Sequence, residues 1–302
     1  MSRASSSAAH RVPDGPVLSV RDLIVDFGAA EPAVNGVSLD LWQGRILGVA
    51  GQSGSGKSMT ALTSLGLAPP GAHITGSIRF RDQELVGVGQ RTLSRVRGSG
   101  MTMIFQETNA ALNPVIQVRK QLTLAVRANR DCNQDEAHEL VVDALRDVRL
   151  DDTDRVLNSY PHELSGGMAQ RVMIAMALVC GADVIFADEP TTALDVTVQR
   201  EVMEIIRRVA DEHRLAVMLI SHDIGVLEEI SDELAVMYRG RVVERGSTDD
   251  VIRAPEHPYT RALLDSIPRI GHELTEFVEM PSFDMDLTSL PAAERIAEGS
   301  HS

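Results

Sequence analysis

The chain has 302 residues, with 29 Lys plus Arg against 43 Asp plus Glu, a formal net charge of −14. That balance argues against broad nucleic-acid binding, which needs clustered cations, but allows one local nucleotide site. Hydrophobic residues make up 43%, enough for a sizeable core. No apolar run reaches the roughly 20 residues of a bilayer span.

From the N-terminus, residues 1–16 are rich in Ser, Ala and Arg and lack the apolar middle of a secretion signal. They read as a disordered tail. Residues 17–47, with 77–81, alternate apolar and polar side chains as antiparallel strands do. Four short apolar runs at 46–50, 101–105, 183–187 and 216–220 show little alternation. They fit strands of a parallel sheet covered on both faces. Each gives way at once to polar residues, at 51–58, 106–107, 188–189 and 221–223. Ligands of open α/β sheets bind outside the carboxyl ends of the strands, so the four clusters point to one shared site. From about 108 to 175 helical patterns prevail without a convincing strand, as for an inserted helical subdomain, with an amphipathic stretch at 136–148. After Asp195, the positions Val198, Val202, Ile205, Ile206 and Val209 repeat with a helical period. Beyond about residue 266 the chain becomes acidic and poorly periodic. The two cysteines, Cys132 and Cys180, are too few for a disulfide framework or a four-thiolate cluster and read as reduced thiols.

Gly51-Gln52-Ser53-Gly54-Ser55-Gly56-Lys57-Ser58 matches the P-loop pattern G-x-x-x-x-G-K-[ST], between a strand and a helix expected over 58–65. The glycines let backbone N–H groups turn toward phosphates, and the helix N-terminus adds its partial positive charge. Lys57 is placed to reach the β- and γ-phosphates, and Ser58 to ligate Mg²⁺. This motif alone does not separate a transporter ATPase from a GTPase or a kinase. The run from Asp183 ends in Asp188 and Glu189. The first acid is placed to hold Mg²⁺, and the second to polarise an attacking water.

Leu164-Ser165-Gly166-Gly167-Met168-Ala169-Gln170-Arg171 resembles the signature motif of ABC ATPases. Physically it is a second anion site, a serine and two glycines at a helix N-terminus. The resemblance implies an α/β fold of the P-loop NTPase kind. Its RecA-like core carries a mostly parallel sheet, an antiparallel β subdomain and the inserted helical subdomain. The ATPase domain then spans residues 17–268, with an acidic C-terminal extension at 269–302. The resemblance also assigns residues. Gln106 matches the glutamine that contacts Mg²⁺ and the attacking water. Ala193-Leu194-Asp195 matches the loop that crosses a head-to-tail ATPase dimer. His222 matches the switch histidine at the γ-phosphate, and Phe27 the aromatic that stacks on adenine. Ser53, Gly54, Ser55 and Met59 fall among the nucleotide-binding positions. Ser165, Gly166 and Gly167 would cap the nucleotide held by the partner's P-loop.

Further segments narrow the likeness: Met59-Thr60-Ala61-Leu62, Ile74-Thr75-Gly76-Ser77, Phe105-Gln106-Glu107, Ala111-Leu112-Asn113-Pro114 and Tyr160-Pro161-His162-Glu163-Leu164-Ser165. With Glu256-His257-Pro258-Tyr259-Thr260-Arg261-Ala262-Leu263, they resemble the oligopeptide, dipeptide and nickel importer ATPases. That resemblance implies ATP and Mg²⁺, two membrane permease subunits, a second ATPase subunit identical or paralogous, and an external solute-binding protein. It implies a peripheral place on the cytoplasmic face of the cell membrane. An exporter ATPase fits the C-terminal motif poorly. A soluble non-transport ABC ATPase would carry two cassettes or a long coiled coil, and this chain has one cassette without sustained heptads. Three departures stand out. Ala169 replaces a common Arg of the signature and could alter local charge. Thr108-Asn109 is unusual after Gln106. No cysteine follows Cys180, so the iron–sulfur cluster carried by some members is not expected.

Overall fold

The computed structural model describes residues 15–106, 111–192 and 194–266. The N-terminal tail through residue 14, Thr108-Asn109, Ala193 and the acidic extension lie outside the described residues. The first part of the chain gives β1 (Leu18–Asp26), β2 (Val34–Leu41), β3 (Ile46–Ala50), α1 (Lys57–Ser64), β4 (His73–Phe80), β5 (Gln83–Glu84), α2 (Gln90–Val96) and β6 (Met101–Ile104). A helical segment follows: α3 (Val118–Asn129), α4 (Gln134–Asp147), α5 (Thr153–Asn158), a 3₁₀ turn at Pro161–Glu163, and α6 (Gly166–Cys180). The last part comprises β7 (Val184–Asp188), α7 (Val196–Glu212), β8 (Ala216–Ile220), α8 (Ile224–Ile230), β9 (Glu233–Tyr238), β10 (Arg241–Ser247), α9 (Thr248–Arg253) and α10 (Pro258–Asp265).

Two sheets form. The smaller is antiparallel, in the order β2-β1-β4-β5. The larger has the order β10-β9-β3-β8-β7-β6, parallel from β9 through β6, with β10 antiparallel at one edge. Side chains alternate between the faces of a strand, and the larger sheet shows this cleanly. Ile46, Ile185, Ala187, Val217, Leu219, Leu234 and Val236 face one core, with the helices. Leu47, Val49, Val184, Phe186, Met218, Ala235 and Met237 face a second core, shared with the antiparallel sheet and Ala61 of α1. Both faces are thus buried, which is why these strands read as continuous apolar runs.

The strands expected at 46–50 and 216–220 have those bounds, while the other two differ by a residue. The 101–105 run stops at Ile104, and Phe105 is exposed. The 183–187 run shifts to Val184–Asp188, because Asp188 pairs with Ile220 and Asp183 turns to Arg81 at 2.6 Å. The helix expected over 58–65 runs instead from Lys57 to Ser64. β9 is not among the four expected strands. It is the one parallel strand that leads into a hairpin, not a polar loop. The helical part matches the expectation in kind, with no strand among the described residues between β6 and β7. Its last helix extends five residues beyond 175, to Cys180, where left-handed Gly181 ends it.

Helix α6 is apolar nearly all round and is wedged among α3, α4 and α7. Its side chains Val172, Ile174 and Ala175 are fully buried. Ala169 is also buried, at 4% exposure, in the helix-side core. Polar contacts join the helical segment to α7: Arg149 to Glu204 at 3.3 Å, His213 to Asp147 at 2.9 Å, and Arg171 to Glu201. Leu122 on α3 is fully buried in the helix-side core. Leu122→Ala should therefore cost about 2–5 kcal/mol of stability, read from denaturant unfolding of the full chain.

Candidate functional site: a phosphate cradle at the strand ends

Because β3, β6, β7 and β8 run parallel, their carboxyl ends open on one edge of the sheet. The loops there supply a cavity of ≈ 500 Å³ lined by Ala33, Ser53, Gly54, Ser55, Gly56, Lys57, Ser58, Met59, Gln106, Glu189 and His222. All four polar clusters meet in this lining, the 188–189 cluster through Glu189. Asp188, beside Glu189, joins through Ser58, whose hydroxyl donates to its Oδ1 at 3.0 Å.

The P-loop forms a left-handed bend before α1. Gly56 has φ +100°, and a Cβ there would stand 2.7 Å from the Ala33 carbonyl, so glycine alone fits. No side chain caps the first turn of α1. The initial N–H groups of a helix lack partners within it, so this terminus is open to an anion. Three other helices differ: Ser165 caps α6, Asp195 caps α7 and Asp223 caps α8, each accepting backbone N–H groups. Lys57 is buried, and its Nζ donates to the carbonyls of Gly51 at 2.7 Å and Gln52 at 2.9 Å. Burial pulls its pKa down, while the charges of Glu189 and Asp188 draw it back up.

The acids differ in setting. Burial pushes the Asp188 carboxyl above its usual range; the Ser58 hydrogen bond and Lys57 oppose this, and the Glu189 charge adds to it. Glu189 turns away from the strand at φ +46°, its N–H donating to the Ile220 carbonyl at 2.9 Å. Its carboxylate is gripped from three sides. Gln106 Nε2 donates to Oε2 at 3.4 Å, Thr192 Oγ1 donates to Oε2 at 2.9 Å, and His222 Nδ1 lies 3.2 Å from Oε1. Thr192 and Ala33 are neighbours that no motif in the sequence marks. Thr192 lay three residues past Glu189, within reach of a turn, but Ala33 carries no chemical signal.

Phe27 follows β1, is 40% exposed, and does not line the cavity. Nor do Ser165, Gly166, Gly167 and Asp195. The two signature glycines instead face the segment around Asp195. A Cβ on Gly166 would lie 3.3 Å from Leu194, and one on Gly167 2.5 Å from Val198. The signature therefore packs tightly against the loop and helix that begin at Asp195. The Ala111–Pro114 and Tyr160–Ser165 segments also touch: His162 Nδ1 lies 3.3 Å from the Pro114 carbonyl.

A family model described as ABC transporter matches residues 34–192, and one described as the oligopeptide/dipeptide transporter C-terminal region matches 243–292. The chain is 40% identical over 280 residues to the dipeptide transport ATP-binding protein DppD of Bacillus subtilis, covering 91% of this chain and 84% of that one. It is 39% identical over 294 residues to the oligopeptide transport ATP-binding protein OppD of Salmonella typhimurium, covering 96% and 88%. A solved structure of cbiO1 from Clostridium perfringens, part of the ABC transporter complex cbiONQ, superposes with TM-score 0.71 at 25% identity, covering 80% of this chain and 93% of that one. The chain belongs to the ABC transporter family and is an ATP-binding ATPase of that family.

Lys57 is the one lysine or arginine among the residues lining the cavity. Lys57→Ala should weaken ATP binding about ten- to a hundredfold, as loss of a charge-assisted contact does. Equilibrium titration of the purified chain with ATP reads this.

Proposed function

We propose that this chain hydrolyses ATP to energise an importer of di- or oligopeptides or of a related small solute such as nickel. The observation that carries the importer reading is the C-terminal match over 243–292, which includes the Glu256–Leu263 segment. The dipeptide and oligopeptide names of its relatives support it. In this reading the ATPase domain spans 17–268, with the helical subdomain at about 108–175 and the extension at 269–302. The chain sits peripherally on the cytoplasmic face of the membrane. No helix among the described residues is long and apolar enough to cross one. Two permease subunits, a second ATPase and an external solute-binding protein complete the assembly, and no nucleic acid takes part.

The residues suit the chemistry. ATP phosphates would rest on the N–H groups of 51–58 and on Lys57. Ser58 Oγ and the Asp188 carboxylate form a pair of hard oxygen donors, with Gln106 nearby, which fits Mg²⁺. The ion would supply positive charge to the phosphate oxygens. Its charge would also favour ionised Asp188, whose burial now disfavours that form. Glu189 would accept a proton from the water as its oxygen attacks the γ-phosphorus, leaving ADP. Gln106 and His222 would hold that water and the γ-phosphate. Phe27, exposed just after β1, would stack on adenine.

Ser165, Gly166, Gly167 and Asp195 lie outside the cavity of their own chain, so they would act on the nucleotide of a partner subunit. ATP would then close a head-to-tail dimer, and loss of the γ-phosphate bridge would release it.

Glu189→Gln should keep ATP affinity within a few fold and lower steady-state turnover about 100-fold or more, the scale of a lost general base. Undiminished turnover would sink the assignment. The importer reading is checked in vesicles holding the chain with its permeases. Peptide-loaded binding protein should stimulate ATP hydrolysis and drive uptake. Outward movement of solute would favour an exporter instead.

A further inference from the structure

The segment Glu256–Leu263 reaches the nucleotide site by one hydrogen bond. Gln52 N–H, in the P-loop, donates to the Tyr259 hydroxyl at 3.1 Å. The same peptide unit is held at its other end, where the Gly51 carbonyl accepts Lys57 Nζ at 2.7 Å. One peptide plane is therefore pinned between the P-loop lysine and a tyrosine more than two hundred residues along the chain. A peptide group can satisfy both contacts only in one orientation. That orientation fixes where neighbouring N–H groups point.

The surrounding residues hold that hydroxyl in place. Tyr259 is 1% exposed, and its ring lies against Tyr238 at the end of β9, centroids 4.4 Å apart. Glu244 on β10 accepts the N–H groups of Glu256 at 2.7 Å and His257 at 3.1 Å. His257 Nδ1 accepts the N–H of Tyr259 at 3.1 Å, capping α10. Arg261 donates to the carbonyls of Pro255 at 2.9 Å and Glu256 at 3.0 Å. Glu244, His257 and Arg261 thus build a mount for this stretch of chain. The mount presents one oxygen to the P-loop.

We propose that Tyr259 is a positioning residue of the nucleotide site, orienting the Gly51–Gln52 peptide so that the loop stays open to phosphate. The C-terminal segment is thereby part of the ATP site. A contact that shifts α10 would be felt as a change in nucleotide affinity. The inference rests on the assignment of the 51–58 loop as the phosphate site.

The test uses the full chain with Tyr259→Phe, which removes the hydroxyl and keeps the ring. ATP Kd and KM should rise about two- to tenfold, the worth of one neutral hydrogen bond. The kcat at saturating ATP should stay within about twofold of wild type on that same scale. Leu122→Ala, on α3 and fully buried in the core, is the packing control. It should lower the melting temperature more than Tyr259→Phe does, yet leave ATP Kd unchanged well below that temperature. Unaltered Kd and KM in Tyr259→Phe would overturn the inference. So would an equal loss of affinity in Leu122→Ala, which would reduce the effect to packing. Failure of the wild-type chain to bind ATP would instead remove the phosphate-site assignment itself.

Discussion

Backbone hydrogen bonds join β3 to β8 on one side and to β9 on the other, all three running in the same direction. A parallel strand cannot be reached by a tight turn, so each connection must cross over a face of the sheet. Those crossovers cover both faces, with helices on one and the antiparallel sheet with α1 on the other. The loops at the carboxyl edge are left as the place where distant polar residues meet. Ser58, Gln106, Asp188 and His222 come from four separate stretches of chain. They are neighbours because the sheet order places β7 between β8 and β6 and β3 beside β8.

Within that edge, local hydrogen bonding decides which groups remain available. α1 begins without a side-chain cap and so keeps its N–H groups for an anion. The helices begun by Ser165, Asp195 and Asp223 each give one or two of theirs to a side-chain cap. The same logic applies to the acids. Glu189 is fixed by Gln106, Thr192 and His222, whereas Asp188 is paired to Ser58 and partly desolvated. Adjacent carboxylates, one ending β7 and the other turned off it at φ +46°, thus acquire different surroundings.

The antiparallel contact of β10 with β9 extends the core past the P-loop and delivers α10 beside it. A segment marked in the sequence by a run of dissimilar residues turns out to be one mount. Glu244, His257 and Arg261 organise the backbone, and Tyr259 touches the loop. The helical segment reaches the core mainly through α6 and the ion pairs on α7, which sets the signature apart from the phosphate cradle of the same chain.

The sequence by itself determined the P-loop, the acid pair and the buried strands. A strand covered on both faces must be apolar throughout, and an anion cradle must be rich in glycine. It also marked Gln106, His222 and the signature through their order along the chain. Three things were settled only by tertiary structure. Thr192 and Ala33 join the site through turn geometry and proximity, which leave no residue-type signature. Ala169 belongs to the core and not to the surface, because helix α6 is buried on nearly every side. Tyr259 meets Gln52 because β10 doubles back along β9, and no local pattern encodes a contact across that separation.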